Sequence, residues 1–431
     1  AIPVLASLPA FTPGLERSVG WSSAAASGAI EYRIEAALAD DFATVALQSD
    51  WQADSTYTFT GLADGQHYFY RVQSRDQAGN DSEFSSLSSS TQDASAPATT
   101  VEALPALVND PAFALAWAGS DAASGLAGVQ LFWSKDGAPF LQLEGGPFTT
   151  SPIPFDATAH GGDGQYAFYT LGTDAVGNAE AAPGTADAQV ALDTAAPEAP
   201  ALASLPGFTA GTAREIAWTA ADATSYQAQA ATDAAFTSLV DDSGWIGTAA
   251  HTFTGLADGQ SYFYRVRSRD AAGNASAFSA AQASTQDASA PATAAAALPA
   301  ITATSSLDLA WDGSDTLSGL TGVQLYWSKD GDAYQLYPGG PFTASPISFD
   351  ATQAAGDGAY RFYTVGTDAV GNEEAAPATA DAFTSIDTSA PGAPNIAGLE
   401  TFSPGSAATV AWSDESATGA AEYFAEMAAT A

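Results

Sequence analysis

The chain repeats itself at a fixed spacing of 194 residues. The segment Thr-Phe-Thr-Gly-Leu-Ala-Asp-Gly-Gln at 58–66 returns unchanged at 252–260. A different segment, Gly-Val-Gln-Leu-Phe-Trp-Ser-Lys-Asp-Gly at 128–137, returns at 322–331 with tyrosine in place of phenylalanine. Two unlike units, each of roughly 97 residues, therefore alternate along the chain. A fixed period of small units predicts an array in which each unit buries its own core.

Short Asp/Pro phrases divide the 431 residues into five segments, which we name A1, B1, A2, B2 and a partial A3. The predicted boundaries are 1–92, 93–192, 193–286, 287–386 and 387–431. Each segment after the first opens with Asp-x-x-Ala-Pro, at Asp93, Asp193, Asp287 and Asp387. Proline fixes φ and removes a backbone donor, so it ends one sheet and stiffens the path to the next. Linkers this short predict a semi-rigid, elongated array.

Apolar residues within the units alternate with a period of two. Tyr68, Tyr70 and Val72 would share one face of a strand, and Tyr166 and Phe168 follow the same pattern in B1. Alternation between turns rich in glycine and aspartate is typical of antiparallel strands. With about seven short strands in each unit, the predicted fold is all-β, one β-sandwich for each unit.

Particular residues of both units resemble known families. Unit A resembles a fibronectin type III domain through a strand tryptophan and a leucine six residues before a corner tyrosine. These residues are Trp21, Trp218, Trp412, Leu62 with Tyr68, and Leu256 with Tyr262. Unit B resembles bacterial immunoglobulin-like repeats through Trp117 or Trp311, Gly-Ser-Asp-x-x-Ser-Gly and Asp-Ala-Val-Gly-Asn. The resemblance implies tandem antiparallel Greek-key sandwiches of a large extracellular surface protein, with each corner tyrosine bonded to backbone near its leucine.

The charge balance limits the possible partners. The chain has 11 Lys and Arg against 49 Asp and Glu, a formal net charge of −38. Nucleic acid and anionic membranes both need a basic footprint, so neither is expected as a partner. No apolar run reaches the 18 residues of a membrane span, and the absence of cysteine excludes disulfides. The acidic surface either keeps the array soluble or attracts divalent cations.

The sequence gives no support for catalysis. The three histidines, His67, His160 and His251, are replaced in the sister copies by Ser261, Ala354 and Tyr57. No spacing of a nucleophile and a base, phosphate-binding loop or nucleophile elbow is visible. We therefore expect a non-catalytic protein.

The aspartates offer two interpretations. Asp-x-x-Gly-Asn recurs at Asp76, Asp174, Asp270 and Asp368, where aspartate can cap a turn and Gly-Asn can supply positive φ. Alternatively, fold analogy brings loops of consecutive units together, so that acids converge at each junction and bind calcium. The candidate ligands are Asp64, Asp93, Asp121 and Asp174; Asp163, Asp193, Asp222 and Asp270; Asp258, Asp287, Asp315 and Asp368; and Asp357, Asp387 and Asp414.

The most favoured function is that of an extracellular structural protein: a stalk, filament, surface-layer or adhesin component whose partners are copies of itself, other surface proteins or glycans. The alternative is an accessory carbohydrate-binding or spacer array of a secreted polysaccharide-degrading enzyme. Trp51 and Trp245, outside the obvious core pattern, and Trp133 and Trp327, each at the end of a strand, could bind sugar, but most of them are expected to pack in the core or between the sheets. For the partial A3 we expect either that the natural chain continues or that a neighbouring subunit supplies strands.

Overall fold

A computed structural model of the chain describes residues 1–22, 28–219, 222–396, 398, 409–412 and 422–428. The chain divides into two compact units. Unit 1 comprises residues 1–199, 220–225 and 268–277, and unit 2 comprises 200–219, 226–267 and 278–431. Unit 1 thus holds A1 and B1, whereas unit 2 holds most of A2 and all of B2. In the described residues no helix is long and apolar enough to cross a membrane.

A1 folds as two sheets that enclose one core. The larger sheet has the strand order β1-β7-β6-β3-β4, and the smaller sheet pairs β2 with β5. The strands are β1 (Phe11–Pro13), β2 (Arg17–Gly20), β3 (Ala29–Ala37), β4 (Val45–Gln48), β5 (Thr56–Phe59), β6 (His67–Asp76) and β7 (Ser88–Asp93). The predicted alternation in β6 is confirmed, because Tyr68, Tyr70 and Val72 are buried in the core.

B1 uses nine strands in three sheets. The five-stranded sheet has the order β13-β12-β15-β16-β9, and two further pairs are β10-β14 and β11-β8. The elements are β8 (Ala98–Val101), β9 (Leu107–Val108), β10 (Ala112–Leu115), β11 (Trp117–Ser120), β12 (Leu126–Lys135), β13 (Leu141–Gln142), β14 (Ile153–Asp156), a 3-10 helix (Ala157–His160), β15 (Gly164–Asp174) and β16 (Ala188–Leu192). Leu115, Leu131, Phe155 and Phe168 are fully or almost fully buried between the sheets.

A2 repeats the arrangement of A1, with the strand order β18-β24-β23-β20-β21 beside β17-β19-β22. Its strands are β17 (Ala201–Leu202), β18 (Phe208–Ala210), β19 (Ala213–Thr219), β20 (Ser225–Ala231), β21 (Leu239–Asp242), β22 (Ala250–Thr254), β23 (Ser261–Arg269) and β24 (Gln282–Asp287).

B2 repeats the arrangement of B1, with the order β26-β33-β32-β29-β30 and the pairs β27-β31 and β25-β28. Its strands are β25 (Ala292–Ala295), β26 (Ile301–Thr302), β27 (Ser306–Leu309), β28 (Trp311–Ser314), β29 (Leu320–Lys329), β30 (Gln335–Leu336), β31 (Ile347–Asp350), β32 (Gly358–Asp368) and β33 (Ala382–Ile386). The chain is therefore an all-β series of tandem fibronectin III/immunoglobulin-like sandwiches.

The predicted sheets are purely antiparallel, but the observed sheets also contain parallel strand pairs. In every complete repeat a short early strand runs parallel to the last strand: β1 with β7, β9 with β16, β18 with β24, and β26 with β33. The first part of each repeat crosses to the other sheet and there runs in the direction of the last strand. Sequence alternation identifies a strand but not the direction of its neighbour.

The corner tyrosines behave as the family resemblance implies. The Tyr68 hydroxyl accepts a hydrogen bond from the backbone N–H of Ala63 at 3.1 Å, next to buried Leu62. In A2 the Tyr262 hydroxyl accepts from Ala257 N–H at 2.9 Å. These bonds confirm the prediction and fix the loop that leads into β6 and β23.

Candidate metal centre

Three carboxylates meet where A1 leads into B1. Asp93, Asp121 and Asp174 each offer an oxygen, and these oxygens lie within 4.8 Å of one another. Asp93 and Asp174 are buried, and Asp121 is half-buried. We name this group the first aspartate triad. It unites three of the four acids that the sequence analysis placed at this junction.

Each member is positioned by a different part of the fold. Asp93 is the last residue of β7, so its backbone belongs to A1, where it pairs with Pro13. Asp121 directly follows β11, and Asp174 ends β15 in B1. The predicted A1 boundary at residue 92 therefore falls one residue before the end of the A1 sheet. The triad is completed by a side chain that the preceding repeat supplies.

Backbone amides hold the carboxylates in place. Asp174 Oδ1 accepts N–H bonds from Val176, Gly177 and Asn178 at 2.6 to 3.0 Å. Asp121 Oδ1 accepts from Ala123 and Gly125 at 3.0 and 2.7 Å. Aspartate thus caps these turns, as the first interpretation held. Capping occupies Oδ1 of Asp121 and of Asp174, and the Asn178 side-chain amide also donates to Asp174 Oδ2 at 2.6 Å.

Asp93 carries the least satisfied group of the triad. Its side chain has no exposed surface, and Oδ2 accepts only the Ser124 N–H, at 2.9 Å. Its Oδ1 is buried with no hydrogen-bond partner. A buried, unpaired carboxylate oxygen is costly unless a proton or cation compensates its charge. Asp93 Oδ1 is therefore the oxygen of the triad whose charge a proton or a cation would compensate.

The triad fits a calcium ion. Calcium binds carboxylate and carbonyl oxygens at 2.3–2.6 Å. Two such ligands on opposite sides of one ion can be no more than about 5 Å apart, and the three oxygens meet that limit because they lie within 4.8 Å of one another. No lysine serves this purpose here, because Lys135 donates to the carbonyl of Gly161 instead.

B2 contains the same arrangement. Asp287, Asp315 and Asp368 form the second aspartate triad, with oxygens again within 4.8 Å of one another. Asp287 ends β24 and is fully buried, and its Oδ2 accepts from Ser318 N–H at 3.0 Å. Unlike Oδ1 of Asp93, Oδ1 of Asp287 has one long hydrogen-bond contact, 3.5 Å from Asn372 Nδ2. In the part of the chain that the structure describes, these two triads are the acidic groups with this spacing.

The structure places the fourth acid of each of these two sets elsewhere. Asp64 lies outside the triad and accepts hydrogen bonds from Ala94 N–H, at 2.7 Å, and from the Ser95 hydroxyl. These bonds lower the pKa of Asp64, with the Ala94 amide as the larger cause. Asp258 holds Ala288 and Ser289 in the same way. These exposed acids fasten the linker, because its donors lie within reach of their loops.

Asp163 and Asp357 make similar contacts in the B repeats. Asp163 accepts from the backbone and hydroxyl of Thr194 at 3.0 and 2.8 Å. Asp357 accepts from the backbone and hydroxyl of Thr388 at 3.0 and 2.9 Å, and the Thr388 amide is the first cause of its lowered pKa. All four complete repeats thus use an aspartate to fasten the following linker; Asp64, Asp163 and Asp258 are exposed, and Asp357 is half-buried.

The remaining predicted acids do not form a triad among the described residues. Asp193, Asp222 and Asp270 line an open cleft of about 540 Å³, and Asp222 is exposed. Asp193 caps its own turn through Ala195 N–H, and exposed Asp387 does so through Ser389 N–H. Asp414 lies outside the described residues. The two A-to-B junctions therefore differ from the junction between B1 and A2.

The asparagine of Asp-Ala-Val-Gly-Asn has a role that sequence analysis missed. Asn178 Nδ2 donates to Asp174 Oδ2 at 2.6 Å and to the backbone carbonyls of Asp93 and Ser95 at 3.0 and 3.2 Å. Asn372 makes the equivalent bonds to Asp368, Asp287 and Ser289. The recurrence of this asparagine in the sequence is the signal for the role, but turn geometry alone also explains the recurrence.

Two further acids, also missed, fasten β8 to the large sheet of B1. Glu180 accepts from Thr99 N–H and from Gly172 N–H, both at 2.9 Å. Asp187 accepts from Val101 N–H and Thr170 N–H at 3.0 and 3.1 Å. Nothing in the sequence distinguishes them from solvent-exposed acids, because their partners are distant in the chain.

The tryptophans do not form an exposed row. Half-buried Trp51 is covered by the guanidinium groups of Arg75, 3.8 Å from the ring centre, and Arg33, 5.1 Å away. Trp245 has Arg267 at 5.2 Å. Trp133 and Trp327 pack against the B cores, as expected.

Comparison with known proteins gives partial matches. No protein-family model matches the chain. Chitinase A1 of Niallia circulans is 32% identical over 211 residues, which cover 47% of this chain and 28% of the chitinase. Exoglucanase B of Cellulomonas fimi is 33% identical over 158 residues, 34% of this chain and 14% of the exoglucanase. The matches thus span 28% and 14% of the length of these two relatives.

Among solved structures, a tetra-tandem repeat from the extending region of a large adhesion protein covers 90% of this chain and 100% of its own. It has 15% sequence identity and a TM-score of 0.31. A structure of titin domains covers 66% of this chain and 98% of its own, with 15% identity and a TM-score of 0.30. The fold stands on the strand pairing described above.

Proposed function

We propose that the chain is a non-catalytic, extracellular structural array in which calcium binds the two aspartate triads and stiffens the A-to-B junctions. The observation that supports this proposal most directly is the fully buried, unpartnered Oδ1 of Asp93 beside two further carboxylates. Three carboxylates at this spacing repel one another strongly when no cation is bound. A divalent ion with oxygen ligands removes that repulsion.

Calcium at this position would act across the junction. Asp93 is covalently part of the last strand of A1, whereas Asp121 and Asp174 belong to B1. One ion held by all three would resist separation of the two repeats. A structural array works through the length of its repeats and the stiffness of its junctions, so this is the function that we favour. Such an array would serve a surface stalk, filament, surface layer or adhesin.

Calorimetric titration of the whole chain tests the site. We expect calcium to bind at two sites in the wild-type chain and at one in Asp93→Asn or Asp287→Asn. The matched control Asp193→Asn alters the junction without a triad and should keep both sites. No calcium binding at millimolar concentration would refute the calcium part of the proposal.

Hydrogen–deuterium exchange tests the mechanical part. Linker amides at 94–96 and 288–290 should exchange more slowly in calcium than in chelator, whereas amides at 194–196 should change little. Equal exchange in both conditions, together with measured calcium binding, would mean that the ion does not stiffen the junctions.

The two enzyme relatives favour a second candidate function. A chitinase and an exoglucanase share segments of this kind at 32% and 33% identity, so the chain could serve as an accessory spacer of a secreted polysaccharide-degrading enzyme. Pull-down on insoluble chitin and cellulose separates a glycan-binding array from a passive one. Retention that Trp51→Ala and Trp245→Ala abolish would support the binding version of this candidate.

A further inference from the structure

The A repeats carry stacked arginines on the face of the large sheet that points away from the core. In A1 the Arg71 guanidinium lies between the rings of Phe42 and Phe84, at 4.1 and 3.8 Å from their centres. In A2 Arg265 lies between Phe236 and Phe278, at 4.0 and 3.9 Å. Rings on both sides fix the guanidinium plane, so its remaining donors are pre-oriented toward a ligand.

A1 neutralises this face with its own carboxylates. Arg71 donates through Nε to Glu35 Oε2 at 2.9 Å, and its terminal nitrogen is 2.8 Å from the same oxygen. Arg33 lies 3.8 Å from Glu35, and Arg75 pairs with Asp81 at 2.8 Å. The stacked arginine thus has a carboxylate partner within the repeat.

A2 lacks these carboxylates. Gln229 stands where A1 has Glu35, and its Oε1 accepts from Nε and a terminal nitrogen of Arg265 at 2.9 and 2.7 Å. Arg267 stands where A1 has Gln73 and donates to Gln227 at 2.8 Å, while Gln227 stands where A1 has Arg33. Arg265 is therefore stacked and hydrogen-bonded as Arg71 is in A1, but its partner, Gln229, is neutral.

The local charge of the A2 face is therefore positive. Asp242 is the carboxylate beside it, and its oxygens accept from the amides of Gln227 and Gln229 at 2.8 to 2.9 Å. Neither Arg265 nor Arg267 forms an ion pair with a described carboxylate. Burial and then repulsion from Arg267 lower the pKa of Arg265, and Asp242 opposes this only in part. The charged groups that act on Arg265 are thus one further cation, Arg267, and one carboxylate, Asp242, on a chain of net charge −38.

We propose that this face of A2, at Arg265 and Arg267 beside Trp245, docks a carboxylate of a second copy of this chain. A1 indicates the chemistry, because the same stacked arginine there binds Glu35. The 49 acidic residues of a second copy supply many carboxylates. Repulsion between whole copies is screened beyond about 8 Å at physiological ionic strength, so local complementarity governs the contact.

Sedimentation velocity of the full chain in chelator tests this proposal without any contribution from calcium, so its failure is distinct from failure of the proposed function. We expect concentration-dependent association above 43.5 kDa that weakens in high salt. Gln229→Glu supplies the internal carboxylate that A1 has, and should weaken association about tenfold or more while the fold is kept.

The reciprocal change, Glu35→Gln in A1, should add a second docking face and strengthen association. Circular dichroism confirms that both variants fold. Monomeric wild-type chain at all concentrations, or association that Gln229→Glu leaves unchanged, would overturn the proposal. So would binding of an oligogalacturonate probe by a chain that stays monomeric, because the carboxylate source would then be an acidic glycan.

Discussion

Asn178 donates from Nδ2 to the backbone carbonyl of Asp93 at 3.0 Å, and so joins the last hairpin of B1 to the last strand of A1. The same carbonyl accepts from Gly14 N–H of A1 at 2.9 Å. One peptide group is thus shared by two sandwiches. Hydrogen bonds therefore hold this junction without any cation.

Asp93→Asn should have opposite effects in chelator and in calcium. Without a cation, the neutral amide relieves repulsion within the triad, so the thermal midpoint of unfolding should rise or stay level. In calcium, the variant loses a ligand and should gain less stability than the wild type, which gains about 2.7 kcal/mol when free calcium is 100 times the Kd. Differential scanning calorimetry measures both. The same shift with Asp193→Asn would contradict a specific site.

Asn178→Ala should destabilise B1 and loosen the linker. The change removes three hydrogen bonds and leaves Asp174 Oδ2 without its amide partner, at an expected cost of about 1–3 kcal/mol. Asn80→Ala is the matched control, because among the described residues the Asn80 side chain donates to Asp76, within its own hairpin. Urea unfolding measures both variants. Equal losses would show that the contacts across the junction contribute nothing.

Tyr68→Phe should destabilise A1 by about 0.5–1.5 kcal/mol, because Ala63 N–H loses the hydroxyl that accepts its hydrogen bond. Tyr262→Phe should behave alike through Ala257 in A2. Chemical denaturation gives both values. A change near zero at both positions would mean that water replaces the hydroxyl without loss.

Gly172→Ala should destabilise B1 by about 1–3 kcal/mol through overpacking. A Cβ at this strand position would lie 2.7 Å from Thr99 Cγ2 and 3.0 Å from Pro97 Cγ. Gly184→Ala is the control, since a Cβ there meets nothing within 4 Å. Thermal unfolding separates them, and a neutral Gly172→Ala would show that β8 can move away.

Acid should release the linker at Asp64. Hydrogen bonds from Ala94 and then Ser95 lower the pKa of Asp64 in the folded chain below its unfolded value. The stabilisation is therefore present above about pH 3.9 and is lost as pH falls through the folded pKa. Carboxyl NMR titration measures the folded pKa, and Asp64→Asn removes this part of the pH dependence. A folded pKa at or above 3.9 would contradict it.

Sequence reasoning reached the sheets because burial imposes a period of two, visible in Tyr68, Tyr70 and Val72. It also brought Asp93, Asp121 and Asp174 to one place, because fold analogy fixes which loops share an end of a sandwich. It misplaced Asp64, whose position depends on a linker amide 2.7 Å away. It could not foresee the parallel pairing of β1 with β7, because strand direction leaves no trace in alternation.

The position of Asp93 also bears on how such a chain can lengthen by duplication. A duplicated segment whose end falls between A1 and B1 would divide the first aspartate triad, because Asp93 stays with the last strand of A1. A duplicated segment whose end falls between B1 and A2 would divide no triad among the described residues. The unit that can be duplicated or deleted as a whole is therefore the A–B pair. Its length is the 194-residue spacing of the repeats, and each such segment keeps its triad complete.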